Sequence, residues 1–237
     1  MKKNSSFRFP EFKSEKGWSA LPLSFFLKER KEKSDGKSQV HSVSVQFGVI
    51  NQIEYLGRNY AAEDTSNYKL AYPYDVIYTK SPTGNYPYGI VKQNQKPYKV
   101  IVSPLYGIFI PLNKYVGYII QSYFDSPYKI TKYLSPIISK GAKNTIQISN
   151  SIFLSRKVFL PTNAEEQKKI AELIFFIDTQ IKQQQKNIAE LKKHKQALIQ
   201  QLFPQRGSDT PILRFTKKKN KNELRKFNDL LKCQKIN

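Results

Sequence analysis

The feature that most constrains this chain is a stretch of about forty residues that favours one uninterrupted helix. Residues 162–204 contain no tyrosine, no glycine and no proline before Pro204. Thr162-Asn163-Ala164-Glu165 has the pattern of a capping box, in which the threonine and glutamate side chains each satisfy a free backbone amide. Because proline removes a backbone donor and clashes with the preceding turn, the helix is expected to end near Phe203. At about 1.5 Å per residue it would be about 60 Å long.

The apolar residues of this helix recur about every 3.5 residues, which is the spacing of a coiled coil. The pattern continues over about five heptads and therefore predicts pairing with another helix. A long amphipathic helix that packs only on its own domain is the alternative. The predicted coiled-coil interface consists of Ile170, Ile174, Ile177, Ile181, Gln184, Ile188, Leu191, Lys195, Leu198 and Leu202.

Two polar positions in this interface favour one way of pairing two copies. In an antiparallel pair with its two-fold axis near residue 186, Gln184 faces Ile188 and Lys195 faces Ile177. The lysine stem can lie along the apolar surface while its ammonium group reaches water. Every other interface position then meets an apolar partner. The remaining pairs are Ile181 with Leu191, Ile174 with Leu198, and Ile170 with Leu202.

The rest of the chain divides around this helix. Residues 1–161 contain all fifteen tyrosines and eleven of the thirteen prolines, whereas residues 205–237 form a basic tail. The expected fold class is α/β: a globular mixed α/β domain over residues 1–161, followed by one long coiled-coil helix over 162–204.

Within residues 1–161, β-rich runs predict strands, and a turn is expected at Ser81–Asn85. Leu23–Arg30 fits a short helix, and Val116–Tyr123 fits either a helix or a strand. Most of the aromatic side chains are expected in the core. The predicted strands are Val40–Ile50, Asp75–Thr79, Tyr98–Ser103 and Tyr106–Pro111.

The formal charge of +22 points to a polyanionic partner. Neutralising phosphates releases condensed counterions, so a surplus of this size favours nucleic acid. A membrane surface, or a basic composition without any polyanion, are the alternatives. Residues 1–161 contain 23 basic and 10 acidic residues, against 7 and 5 in 162–204. The domain, rather than the helix, is therefore expected to bind phosphates.

Two loops combine cations, hydroxyl groups and amides, which can contact phosphates and base edges. Each could equally be a solvated turn. The candidate DNA-binding residues are Lys80, Ser81, Thr83, Asn85 and Tyr86 in the first loop, and Lys140, Lys143 and Asn144 in the second.

The sequence shows no pattern typical of catalysis. A glycine-rich phosphate loop and paired metal-binding motifs are missing, and His41 and His194 stand alone. Asp125-Ser126-Pro127-Tyr128 lacks one proline of the D-P-P-Y element of amino-methyltransferases, and we interpret it as a turn. The single cysteine, Cys233, excludes an intrachain disulfide and fits a reducing cytoplasm. No apolar run is long enough to span a membrane. No catalytic residue, metal ligand or cofactor is therefore predicted.

Several segments resemble the specificity subunits of type I restriction–modification systems. The resemblance covers residues 7–204 and is most specific in the long helix. The helix segments are Leu160-Pro161, Glu166–Ala171, Ile177-Asp178, Ile181, Leu191-Lys192 and Lys195–Pro204. The domain segments are Phe7–Phe12, Trp18, Tyr78–Lys80, Tyr86–Gly89, Ser103–Tyr106, Gly141 and Ile146–Ser149.

The resemblance implies a non-catalytic target recognition domain that reads one half of a split target in double-stranded DNA. It also implies a spacer helix that docks methyltransferase subunits and, through the complex, restriction subunits. Such subunits normally carry two domains and two helices, whereas this sequence has one of each. A homodimer or a pair with another half-subunit is expected. An inactive truncated cassette, a stand-alone enzyme acting on nucleic acid and a purely structural coiled-coil protein are the alternatives.

The tail resembles the start of a second repeat. Pro211–Phe215 resembles Phe7–Pro10, and Glu223–Leu231 could repeat the short helix expected after Trp18. A solvated basic end is the alternative interpretation of this tail.

Overall fold

The computed structural model describes residues 8–14, 17–57, 64–140, 146–204, 207 and 209–213. The chain divides into two compact units, Met1–Ile177 and Asp178–Asn237. The first unit is a mixed α/β domain, which confirms the fold class predicted from the sequence. No helix in the described ranges is long and apolar enough to cross a membrane.

Twelve strands and five α-helices are found in the described residues. The strands are β1 (Trp18–Pro22), β2 (Leu27–Glu29), β3 (His41–Ser44), β4 (Gly48–Asn51), β5 (Lys69–Ala71), β6 (Val76–Tyr78), β7 (Val91–Gln93), β8 (Val100–Val102), β9 (Gly107–Pro111), β10 (Ser139–Lys140), β11 (Ile146–Gln147) and β12 (Lys157–Pro161). The helices are α1 (Gln52–Leu56), α2 (Lys114–Phe124), α3 (Pro127–Leu134), α4 (Asn150–Ser155) and α5 (Ala164–Leu202).

The domain is organised around a four-stranded antiparallel sheet in the order β2-β9-β6-β7. Every position of the central strand β6 and of the edge strand β7 carries a buried side chain, as expected for strands covered on both faces. Separate antiparallel pairs are formed by β3 with β4, β5 with β8, β10 with β11, and β1 with β12. The strand register shows which residues lie near each end of the four-stranded sheet. Tyr78 is level with Val91 and Gly107 at one end, and Val76 is level with Gln93 and Phe109 toward the other.

Aromatic rings fill the space between this sheet and the helices. Phe153 of α4 stacks on Tyr78 at 4.5 Å and on Phe109 at 5.2 Å between ring centroids. Phe124 of α2 meets Tyr133 of α3 edge-on at 5.0 Å. Such packed aromatic pairs add to the stabilisation from their buried area. These rings belong to the core as expected, whereas other aromatic residues of the domain, among them Phe47, Tyr98 and Tyr128, are exposed.

Three predicted strands are confirmed within one or two residues, and the segment Val116–Tyr123 forms part of helix α2. Asn113 caps α2, since its Oδ1 accepts a hydrogen bond from the Val116 amide at 2.9 Å. The predicted turn at Ser81–Asn85 is also present.

Two predictions for the first fifty residues are wrong. Leu23–Arg30 forms a 3-10 turn and then strand β2, because Leu27–Glu29 pair with β9 and override the local helical preference. Val40–Ile50 is a hairpin rather than one strand. Its turn is closed by the Ser44 hydroxyl, which accepts from the Phe47 amide at 3.4 Å, and by Gly48 at φ +65°.

The long helix exists, but the predicted capping box is wrong. The Asn163 Oδ1 accepts hydrogen bonds from the amides of Glu165 at 2.9 Å and Glu166 at 3.1 Å. Thr162 instead continues the pairing of β12 with β1 beyond Pro161, because both its amide and its hydroxyl donate to the Gly17 carbonyl. The helix therefore begins at Ala164 and spans 39 residues, about 58 Å at 1.5 Å per residue.

Candidate nucleic-acid interface

The start of α5 is fixed to the domain through a buried carboxylate. Glu166 is fully buried, and its two oxygens accept bonds from Arg8 Nε at 2.7 Å and Nη2 at 2.8 Å. Trp18 Nε1 donates to the same carboxylate at 2.9 Å. Burial opposes ionisation, but these bonds outweigh it and hold the pKa of Glu166 below its usual value. A Cβ on Gly17 would overlap the Arg8 guanidinium, so this arrangement requires glycine there.

Beyond its first turns the helix carries an exposed apolar stripe. Ile170 and Ile174 are partly buried and pack against the domain core. From Ile177 onward the predicted interface residues are mostly exposed; the side chain of Ile188, for example, is 51% exposed. Such a repeated stripe is unusual on an isolated surface helix, since an amphipathic helix normally buries its apolar face. The exposed members are Ile177, Ile181, Gln184, Ile188, Leu191, Lys195 and Leu198, with Leu202 partly buried.

The first candidate DNA-binding loop connects β6 to β7. Lys80 adopts the left-handed conformation at φ +53°, which is uncommon for a residue other than glycine. Thr83 and Tyr86 close the loop through two backbone hydrogen bonds of 3.0 Å each. At its base, a Cβ on Gly89 would come within 2.9 Å of the Lys80 nitrogen and 3.0 Å of the Ser81 nitrogen. The loop is therefore built on a defined, glycine-dependent backbone.

The side chains predicted for this loop fall into two groups. Asn85 is exposed, whereas Lys80, Ser81 and Thr83 are partly buried. The Ser81 hydroxyl donates to the Thr79 carbonyl at 3.3 Å, and the Thr83 hydroxyl to the Ser81 carbonyl at 3.2 Å. Their oxygens can still accept hydrogen bonds from a ligand.

Tyr86 is placed in the core rather than on the loop surface. Its side chain is 9% exposed, and its hydroxyl donates to the Asp125 carbonyl at 2.6 Å. It therefore anchors the loop against the turn between α2 and α3, and little of its side chain remains exposed for contact with a base.

The second candidate loop follows β10. Lys140 is the last residue of that strand, paired with Ile146. Lys143 and Asn144 lie outside the described residues.

Next to Lys80 the fold places polar residues that the sequence reasoning missed. Lys69, at the start of β5, donates from Nζ to the Tyr106 carbonyl at 2.5 Å. Tyr106 precedes Gly107, which pairs with Tyr78, and Tyr78 stands two residues before Lys80. Glu29 at the end of β2 accepts a bond from Asn150 Nδ2 at 2.7 Å. No sequence signal joins these residues, because they come together only through strand register.

This end of the sheet, which we call the loop end, is defined by Glu29, Lys69, Lys80, Tyr106 and Asn150. Burial lowers the pKa of the Lys69 ammonium group, and Glu29 partly opposes that change. Burial also lowers the pKa of Lys80, and the neighbouring charge of Lys69 lowers it further. Two desolvated cations acting on each other make a site that favours an anion.

A cavity of about 370 Å³ lies at the opposite end of the sheet, against the first turns of α5. Tyr74 stands at its rim in the left-handed conformation, at φ +69°. Lys114 and Glu172 both line the cavity. Since this lining carries one charge of each sign, it lacks the cationic surplus that marks the loop end.

The described residues contain no group of three or more His, Cys, Asp or Glu side chains that could hold a metal ion. His41 is buried, and its Nδ1 lies 3.0 Å from the Gln39 carbonyl oxygen. Burial lowers its pKa, consistent with a neutral core histidine.

Together these elements form a mixed α/β domain with a cationic loop end, followed by one long helix. In fold, the chain is similar to the S subunit of a type I restriction–modification system from M. genitalium. The TM-score is 0.51 at 12% identity, covering 83% of this chain and 48% of that chain. The resemblance predicted from the motifs is thus confirmed at the level of the fold: the chain has the fold of half a type I S subunit.

Two further solved structures show weaker similarity. The HsdS subunit from Thermoanaerobacter tengcongensis is 17% identical, covering 83% of this chain and 47% of that one, with a TM-score of 0.44. A chain from a structure of type I R-M complex assembly and conformational transition is 18% identical, covering 81% and 47%, with a TM-score of 0.45. This chain spans about half the length of each of these proteins. No protein-family model and no curated protein matches the sequence.

Proposed function

We propose that this chain is a sequence-specific DNA-recognition subunit of a type I restriction–modification system. The observation that carries the proposal is the fold: one mixed α/β domain and one long helix, matching about half of an S subunit. Residues 1–161 act as the target recognition domain, 162–204 as the spacer helix, and 205–237 as a basic tail. The chain itself performs no catalysis; methyltransferase and restriction subunits of the complex supply it.

DNA lies against the loop end in this proposal. The charge of +22 supplies the long-range attraction, and Lys80, Ser81, Thr83 and Asn85 are the contacts nearest to the duplex. Asn85 is the residue best suited to read a base, because its exposed amide can pair with adenine. Tyr86 positions the loop from beneath. Lys140, Lys143 and Asn144, the candidates of the second loop, are proposed as further DNA contacts.

The spacer helix pairs with a second half-subunit along the exposed stripe. Burying a leucine or isoleucine side chain stabilises a complex by about 1.5–3 kcal/mol, so a few mutual pairs outweigh the cost of facing Gln184 with an isoleucine. Ile170 and Ile174 already pack on their own domain, so the intermolecular contact centres on residues 177–195. Two identical halves give a two-fold symmetric dimer, which calls for two matching half-sites in the DNA.

Cysteine cross-linking tests the antiparallel register. In a Cys233→Ser background, a chain carrying both Ile181→Cys and Leu191→Cys should form disulfide-linked dimers, because these positions face each other across the two-fold axis. Each single variant is the control: its cysteine faces a leucine or isoleucine of the other copy and should stay reduced. Linkage of Ile181→Cys alone would indicate a parallel pair and overturn this register.

Methylation mapping tests the function itself. The chain is co-expressed with the methyltransferase subunit of its system, and methylated positions in the host DNA are compared with those in cells lacking the chain. A new split, symmetric methylated sequence supports the proposal. Absence of methylation, together with a protein that neither dimerises nor recruits the methyltransferase subunit, would instead identify an inactive cassette.

A further inference from the structure

Two partly buried lysines at the loop end have no carboxylate partner among the described residues. Elsewhere in the domain, comparable cations are paired: Arg8 with Glu166, Arg30 with Asp75, and Lys92 with Asp125, at 2.7, 2.6 and 2.5 Å. Lys69 and Lys80 take part in none of the ion pairs of the described chain. Burying an unpaired charge is costly, so such a pair is expected to meet an anion that is not part of the domain.

Strand register brings these two lysines together. Lys69 opens β5, and its ammonium group is held by the Tyr106 carbonyl oxygen. Lys80 follows β6, whose last residue pairs with Gly107, the neighbour of Tyr106. The left-handed backbone of Lys80 packs closely against Gly89, where an added Cβ would come within 2.9 Å of the Lys80 nitrogen. Backbone structure therefore fixes the ammonium group of Lys69 and the main chain of Lys80.

The nearby carboxylate is not available to neutralise them. Glu29 acts electrostatically on both ammonium groups but lies within ion-pair distance of neither. One of its oxygens is taken by Asn150 Nδ2 at 2.7 Å. One carboxylate against two ammonium groups leaves a net positive charge at the loop end.

We infer that Lys69 and Lys80 jointly hold a single phosphate group of the DNA backbone. This inference rests on the proposed function and deepens it, since Lys69 lies outside both loops singled out from the sequence. A phosphate offers several acceptor oxygens and a full negative charge, which match two neighbouring ammonium groups. The contact fixes the register of the domain on the duplex, while the exposed side chains of the loop read bases.

The salt dependence of DNA binding tests whether the phosphate is shared. Each neutralised phosphate contributes about 0.9 to the slope of log K against log salt concentration. If one phosphate is shared, Lys69→Met and Lys80→Met should each lower the slope by up to about 0.9, and the double variant should lower it no further. Lys99→Met and Lys114→Met, exposed lysines at the opposite end, are the matched controls and should leave the slope unchanged.

Two outcomes overturn the inference. A double variant that loses about 1.8 from the slope would show two independent phosphate contacts. An unchanged slope in a double variant that still binds DNA and still melts cooperatively would show no phosphate contact at all. Failure of the unmodified chain to bind DNA is a separate result, which overturns the proposed function itself.

Lysine acetylation distinguishes DNA from free phosphate as the source of the anion. Duplex DNA should protect Lys69 and Lys80 from acetylation, leaving Lys99 and Lys114 reactive. Inorganic phosphate, at matched ionic strength and without DNA, should protect neither pair. Protection by inorganic phosphate alone, without protection by DNA, would identify a free-phosphate site and overturn the assignment.

Discussion

Glu166 on the long helix and Arg8 near the start of the chain form a two-bond ion pair, with N···O distances of 2.7 and 2.8 Å, although 158 residues separate them. The carboxylate is fully buried, and the Arg8 side chain is 16% exposed. This pair fixes the start of the helix to the first segment of the domain.

Replacing Glu166 should destabilise the domain strongly. Removing one partner of a buried pair leaves the other charge uncompensated, so Glu166→Gln should lower the free energy of unfolding by about 3 kcal/mol. Urea denaturation at neutral pH measures this change. Glu190→Gln, at an exposed position of the same helix, is the control and should change stability by less than about 0.5 kcal/mol. Equal effects of the two substitutions would contradict a structural role for the pair.

The same carboxylate predicts a pH dependence. Because the folded pKa of Glu166 is lowered, the unfolded state binds more protons, and the contribution of Glu166 is present above its ordinary pKa of 4.5. That contribution is lost as the pH falls below 4.5 through the folded-state pKa. Urea denaturation between pH 6 and 3 should therefore show a steeper loss of stability for the unmodified protein than for Glu166→Gln. Parallel curves would contradict the lowered pKa.

Replacing Gly89 by alanine should destabilise the protein more than replacing Gly84 by alanine. Both have positive φ, at +89° and +52°, so an alanine at either site costs about 1–2 kcal/mol of backbone strain. At Gly89 the added Cβ would also meet two backbone nitrogens within 3.0 Å, whereas at Gly84 it meets nothing within 4 Å. Gly89→Ala should thus lower the melting temperature more than Gly84→Ala. The reverse order would show that the base of the loop is not built as described.

A charge placed on the exposed stripe should block pairing without unfolding the domain. Ile188→Lys buries an ammonium group in the proposed helix interface, and light scattering should then report a monomer. Gln183→Lys adds the same charge on another face of the helix, outside the stripe, and should leave the dimer intact. If both variants dimerise like the unmodified protein, the stripe is not the interface.

Substitutions of Tyr86 and Asn85 should distinguish a residue that positions the loop from a residue that reads a base. Tyr86→Phe removes the bond to the Asp125 carbonyl and should cost about 1 kcal/mol of stability, lowering affinity for all DNA sequences alike. Asn85→Ala should leave stability unchanged and weaken binding to particular sequences. Melting curves and binding to a randomised DNA library distinguish the two outcomes. A sequence-dependent loss for Tyr86→Phe would contradict its placement as an anchor.

Local patterns predicted some elements well and others poorly. The absence of glycine and proline and the 3.5-residue period predicted helix α5, because both signals are local to the helix itself. Leu23–Arg30 was predicted as a helix because its local composition allows one, but pairing of Leu27–Glu29 with β9 decides the outcome. The helix cap was misassigned to Thr162 because its pairing partner, Gly17, lies 145 residues away.

In the candidate site, too, local features were predictable from the sequence and long-range contacts were not. The β6–β7 loop was identifiable from its turn residues, whereas the burial of Tyr86 depends on Asp125, 39 residues later. Lys69 could not be associated with Lys80, since only the register of β6 against β9 and the contact of Lys69 with Tyr106 bring them together. Charge composition indicates a polyanionic partner, but only the fold shows that Lys69 and Lys80, unpaired among the described residues, lie near each other at the loop end.

The pairing of β1 with β12 and the Arg8–Glu166 contact join the two ends of the domain. Contacts between residues so distant in sequence form late in folding, because the entropy cost of ordering the intervening chain must be met before the contacts can stabilise the fold. During synthesis, residues 8–22 must therefore wait until residues 157–166 have left the ribosome. The apolar stripe of α5 emerges after that point. The domain can thus close before the helix proposed to pair is complete, which would limit association between unfinished chains.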